Sequence, residues 1–157
     1  MNIFLTILKK TYNKLAFRTV EITFIIHETE NTTKFLSNLC SILDVSDTDF
    51  NKKITEGHHG NKIELIRAHF IRNRVDEITE KILLSLNIND LSILNTDLLD
   101  YLDDKFTLYL RFNKQDIIDN ILTLSYEDSV RIKIKPKNKL NKTNAIKLYK
   151  ELLSEYS

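Results

Sequence analysis

Glycine and proline are nearly missing from this chain, with two and one respectively in 157 residues. A glycine-rich loop that cradles nucleotide phosphates therefore has no material to be built from. Both glycines sit in Glu56-Gly57-His58-His59-Gly60-Asn61, which argues for backbone angles there that no other residue accepts. The single proline, Pro136, follows an alternating stretch and ends it, since proline cannot donate to a strand ladder. One cysteine, Cys40, excludes an intramolecular disulfide and points to an intracellular, cytoplasmic protein. Cys40 lies in an apolar helical pattern and reads as packing rather than as a nucleophile. No run approaches the roughly 18 apolar residues of a membrane span, so no membrane partner is expected. The opening MNIFLTILKK lacks a charged start and a small-residue cleavage site and does not read as a targeting signal. No CxxC pair and no serine–histidine–acid arrangement stands out, and no cofactor is implied.

What is present is ordinary for a folded domain: 42% hydrophobic and 29% charged residues, enough to bury a full core. The formal net charge is only +1, but the signs are segregated. Positions 129–150 carry Arg131, Lys133, Lys135, Lys137, Lys139, Lys142, Lys147 and Lys150 with no acid, whereas positions 90–104 carry Asp90, Asp97, Asp100, Asp103 and Asp104 with no base. Such segregation sets up a local field at near-zero total charge. The basic end suits nucleic acid, an acidic protein, or an acidic patch on a second copy.

Residues 1–16 read as a short amphipathic helix, with Phe4, Leu8 and Leu15 on one face. Thr19 to His27 alternates as a strand, and a helix with Phe35, Leu36, Leu39, Ile42 and Leu43 follows. Phe50 to Glu56 and Lys62 to Ile71 form a hairpin around the glycine loop. Asn73 is positioned to cap a helix and Asp90 a second one. Phe106 to Phe112 and Val130 to Ile134 are strands, with a turn or short helix around Gln115 to Asn120 and a short strand at Leu122 to Ser125 between them. Asn141 or Thr143 starts a C-terminal helix with Ile146, Tyr149 and Leu153 on one face. The order β-α-β-β-α-α-β-turn-β-α, with one-sided strands, predicts a two-layer α+β sandwich: a mostly antiparallel or mixed sheet with helices on one face. Residues 1–17 form an N-terminal extension and 18–157 one domain.

Within the late pair of strands, Phe106, Leu108, Leu110 and Phe112 point opposite to Thr107, Tyr109 and Arg111. Val130, Ile132 and Ile134 point opposite to Arg131, Lys133 and Lys135. A shared sheet would be greasy on one side and cationic with an aromatic on the other.

Four stretches then suggest a family: HETE at His27 to Glu30, EGHHGN at Glu56 to Asn61, LYLRFNKQ at Leu108 to Gln115, and RIKIKP at Arg131 to Pro136. Their order and spacing resemble an archaeal family described as a predicted RNA-binding exosome subunit. The resemblance covers roughly residues 18 to 136. It implies a fold similar to the ribosomal protein that holds 5S rRNA, a homodimer, RNA as partner, and exosome or ribosome components nearby. It brings no catalytic site, so the expected function is non-catalytic RNA binding. Asn113 departs from the pattern, standing where the family tends to have an acid.

The expected RNA-contacting set is Tyr109, Arg111, Lys114, Gln115, Arg131, Lys133, Lys135 and Lys137, because single-stranded RNA is held by cations along its backbone and flat side chains under its bases. Lys114 and Gln115 serve equally well as caps of the following turn. Lys139 and Lys142 continue the cationic row toward a helix N-terminus. His58, His59 and Asn61 offer a recognition loop. His27, His58 and His59 can be drawn as a metal site, but neighbouring residues point apart and the spacing is not that of HExxH, so no metal is expected. The competing reading is a dimeric interaction module without RNA, with Asp97, Asp100, Asp103 and Asp104 as the acidic surface.

Overall fold

The computed structural model describes residues 16–157. The helix expected over residues 1–16 lies almost wholly outside them. Five strands form one antiparallel sheet: β1 (Phe17–His27), β2 (Phe50–Glu56), β3 (Lys62–Ile71), β4 (Leu108–Asn113) and β5 (Ser129–Pro136), in the order β2-β3-β1-β5-β4. The helices are α1 (Thr32–Leu43), α2 (Asn73–Ser85), α3 (Ile88–Thr96), α4 (Lys114–Ile118) and α5 (Lys142–Ser154). The two-layer α+β sandwich is thus the observed architecture.

Alternation decides which side of the sheet is covered. Val20, Ile22, Phe24 and Ile26 of β1, Ile66, Ala68 and Phe70 of β3, Leu108, Leu110 and Phe112 of β4, and Val130, Ile132 and Ile134 of β5 are all buried. They pack against helix residues such as Leu39, Leu43, Ile78, Ile82 and Tyr149 in one core. The intervening strand residues face away from the helices.

Among the described residues, asparagine caps four of the five α-helices. Asn31, Asn87, Asn113 and Asn141 each accept a hydrogen bond from a backbone N–H in the first turn of α1, α3, α4 and α5, which satisfies donors that the helix itself leaves orphaned. Asn113, the departure from the family pattern, caps α4 by accepting from Asp116 N at 3.1 Å. Two expected caps are corrected. Asp90 lies inside α3, with Asn87 as its cap, and its buried carboxylate instead accepts from Leu124 N at 3.0 Å. Asn73 is the first residue of α2, preceded by Arg72 at φ 57 with no side-chain cap.

Two strand ends also differ from expectation. Phe106 takes a positive φ of 60 and stands outside β4, and its carbonyl accepts the Tyr149 hydroxyl at 2.6 Å. Leu122 to Ser125 contributes a single bridge, Phe112 to Leu124, rather than a strand. Cys40 is half-buried and its thiol is pushed up to about 11, first by burial and then by Asp47 and Asp49. That holds it in the neutral, unreactive form and fits a packing role.

Candidate nucleic-acid interface

Strand register assembles the uncovered side of the sheet into rows. Arg67 of β3 stands opposite Thr23 of β1, Thr23 opposite Arg131 of β5, and Arg131 opposite Arg111 of β4, with Asn51 of β2 on the far side of Arg67. The next row reads His69, Glu21, Lys133, Tyr109. Ile71, Thr19 and Lys135 make a third. Arg67, Arg111, Arg131 and Lys135 are exposed.

The two inner rows differ in how their charge is balanced. Glu21 is the one acid that these strands place on this face among the described residues. It lies 3.3 Å from His69 Nδ1 and 3.5 Å from Lys133 Nζ. Lys133 Nζ also sits 5.3 Å from the centre of the Tyr109 ring. Lys133 is thus partly neutralised, and one side of Tyr109 carries a cation rather than open space. The arginine row has no such relief. Arg111 and Arg131 are directly opposed like charges, an arrangement that weakens a sheet, and neither meets a carboxylate within 4 Å among the described residues. Three guanidiniums held on rigid strands suit planar, bidentate binding of phosphate oxygens.

Of the expected contact residues, Tyr109, Arg111, Arg131, Lys133 and Lys135 share this face. Lys137 follows at the end of β5, its side chain exposed and its N–H bonded to Ala16 O at 2.8 Å. Gln115 is exposed on α4. Lys114 is a correction. It is 3% exposed, and its ammonium is held by Glu30 Oε1 at 2.8 Å, Asp128 Oδ1 at 3.1 Å and Ile25 O at 2.7 Å. A cation so enclosed has no donor left for phosphate. Glu30 also accepts from His27 N at 2.7 Å, so the cluster ties the end of β1 to the start of α4.

The histidine loop stands apart, closing the β2–β3 hairpin on the side of the sheet away from β4 and β5. His58 and His59 are exposed with ring centres 5.3 Å apart. Gly60 has φ 76, as its glycine required. Gly57 has no positive φ, contrary to the expectation for both glycines; a Cβ there would stand 2.5 Å from Asn61 Oδ1, so a larger residue would displace the Asn61 side chain. The Asn61 side chain thus packs into its own turn. Among the described residues, no three histidine, cysteine or acidic side chains converge on a metal position.

Arg67 and Lys53 are the cations on this face that sequence reasoning did not single out. Alternation within β3, with Ile66, Ala68 and Phe70 inward, already sends Arg67 outward. Its place beside Thr23 and Arg131 needs the strand order, which no local pattern encodes.

Fold and face together define a class: a small α+β sandwich with an open, cationic sheet. A family model described as RNA binding matches residues 19–136, and the chain belongs to that family. No curated protein matches the sequence. Among solved structures it is similar to Mth689, a DUF54 protein from Methanothermobacter thermautotrophicus, at 21% identity and TM-score 0.70 over 88% of this chain and 98% of that one. Protein SSO0741 from Sulfolobus solfataricus, also DUF54, is 28% identical with TM-score 0.69 over 87% and 97%. A UPF0201 protein from Methanococcus jannaschii aligns at 15% identity and TM-score 0.56 over 82% and 90%. Among the described residues, no helix is long and apolar enough to cross a membrane.

Proposed function

We propose that this chain is a non-catalytic protein that binds single-stranded RNA across its open sheet face. The observation that carries the reading is the row Arg67, Arg131, Arg111, three arginines on one flat surface without acidic partners among the described residues. The family supports RNA as the ligand class. Arg111 and Arg131 grip phosphates, Lys135 and Lys137 extend the track, and the free side of Tyr109 stacks on a base. A role beside the exosome or in ribosomal RNA processing rests on the family resemblance of the four sequence stretches. The test is fluorescence anisotropy with a labelled mixed-sequence RNA of about 20 nucleotides, at several salt concentrations. Binding should weaken steeply with salt and with Arg111→Glu plus Arg131→Glu. Binding that ignores both sinks the proposal.

One observation favours a second reading, a homodimer that uses part of the same face. Ile25 and Leu65 are directly opposed there, beside Ile63, and Ile25 is 43% exposed. Of the acids considered for self-assembly, Asp97, Asp100 and Asp104 are exposed, but Asp103 is engaged by Lys105 N and Thr107 N, each at 2.9 Å. Light scattering with and without RNA separates the readings: a dimer that excludes RNA favours the second.

A further inference from the structure

At the end of the sheet where β1 begins and β5 finishes, a cleft of about 290 Å³ opens between the start of β1, the turn before β4 and the loop from β5 to α5. Its walls carry five cations: Arg18, Lys105, Lys135, Lys137 and Lys139. One acid, Asp104, also lines it. None of the five cations has a carboxylate within 4 Å among the described residues. Several like charges around one concavity repel one another, and low-dielectric walls focus the resulting field. An anion of more than one charge relieves that repulsion best.

The cleft joins the arginine face rather than standing apart from it. Lys135 belongs to both: it is opposite Thr19 in the outer sheet row and also lines the cleft. Buried Thr107 forms part of the cleft's inner wall, and its backbone is fixed by the Asp103 carboxylate, which accepts from Thr107 N. The turn that presents Lys105 is likewise set, with Lys105 N donating to Asp103 Oδ1. The volume lies at the lower edge of the roughly 300–1,000 Å³ typical of small-molecule sites, room for a phosphate and its sugar but not for a folded RNA element.

We infer that this cleft binds a terminal phosphate monoester of RNA, so that the sheet holds the strand and the cleft holds its end. A monoester carries about −1.5 to −2 charges near neutrality, against −1 for each internal diester. The difference is what a pocket with five cations and one acid selects. This rests on the RNA reading above, and the experiment keeps the two separable.

One oligonucleotide sequence is measured with a 5′-phosphate, a 3′-phosphate, or hydroxyls at both ends, against the full chain and against Arg18→Ala plus Lys105→Ala, two cleft cations outside the RNA track. In parallel, a nucleoside 5′-monophosphate and the matching nucleoside are titrated while backbone amide resonances are followed. A phosphate on one end should tighten binding about fivefold or more over hydroxyl ends, and the paired substitution should erase that gain while leaving hydroxyl-ended binding within about twofold. The monophosphate, but not the nucleoside, should shift the amides of Lys105, Thr107 and Lys139. Equal binding of all three oligonucleotides overturns the cleft and leaves the sheet face standing. A gain that survives the paired substitution also overturns it. If no oligonucleotide binds but the monophosphate shifts those amides, the cleft stands as a phosphate monoester site and the RNA reading falls. If nothing binds, both fall.

Discussion

Arg111 and Lys114 are three residues apart, one on β4 and the other opening α4, yet they use positive charge in opposite ways. Lys114 is enclosed, with two carboxylates and a carbonyl on its ammonium. Arg111 is exposed, opposes Arg131, and has no acid within 4 Å among the described residues. A satisfied buried cation holds a fold together. Unsatisfied cations lined up against one another weaken a fold slightly and make sense where a ligand supplies the missing negative charge. Lys114 and Arg111 carry the same charge and differ in their partners, and under the proposed function that difference separates the structural cation from the RNA-binding one.

The largest effect is expected from Lys114→Met. It leaves Glu30, 29% exposed, and Asp128, 66% exposed, without their cation and the Ile25 carbonyl without its donor, a loss of about 1–3 kcal/mol once solvent screening of the carboxylates is counted. Denaturant unfolding should show that loss, while RNA affinity of the folded protein stays within about twofold. If the variant is as stable as the parent but fails to bind, the two roles have been assigned the wrong way round.

Next in size is the pair formed by Arg74 with Asp49, at 2.6 and 2.8 Å, which fastens α2 to the turn before β2. The Arg74 guanidinium holds the Asp49 carboxyl below its ordinary value. Because the folded-state value is lowered, the stabilisation is present above the ordinary carboxylate range and is lost as pH falls through the folded value. Asp49 is 21% exposed and Arg74 43%, so screening limits the effect to about 1 kcal/mol. Asp49→Asn should lower stability at pH 7 and converge with the parent in acid melts. A constant gap across pH would contradict this.

The smallest effect is expected on the sheet face itself. Glu21→Gln removes the acid that partly neutralises Lys133 and lies beside His69. RNA binding at low salt should tighten by about twofold to threefold, and the gain should shrink as salt rises. Weaker binding would mean that Glu21 contacts the ligand directly.

Much of the fold could be read in the sequence because it is local. Two-residue alternation placed β1, β4 and β5 with the correct sides inward, and two glycines marked the β2–β3 turn. The same alternation grouped Tyr109, Arg111, Arg131, Lys133 and Lys135. What stayed hidden depends on contacts between distant residues. Arg67 joins Arg131 only because β1 lies between β3 and β5. Lys114 looked like part of the cationic track, but α4 starts there and the side chain turns inward to Glu30, 84 residues earlier. Phe106 continued the alternation in sequence, yet its positive φ takes it out of β4.

The most direct test is the slope of binding against salt. For the parent chain and for Arg67→Ala plus Arg111→Ala plus Arg131→Ala, the logarithm of the RNA association constant is plotted against the logarithm of salt concentration. Each lost phosphate contact should flatten the slope by roughly 0.7 on single-stranded RNA, about 2 for the three together, with little change in stability. Superimposable slopes would show that the arginine row does not meet the RNA backbone.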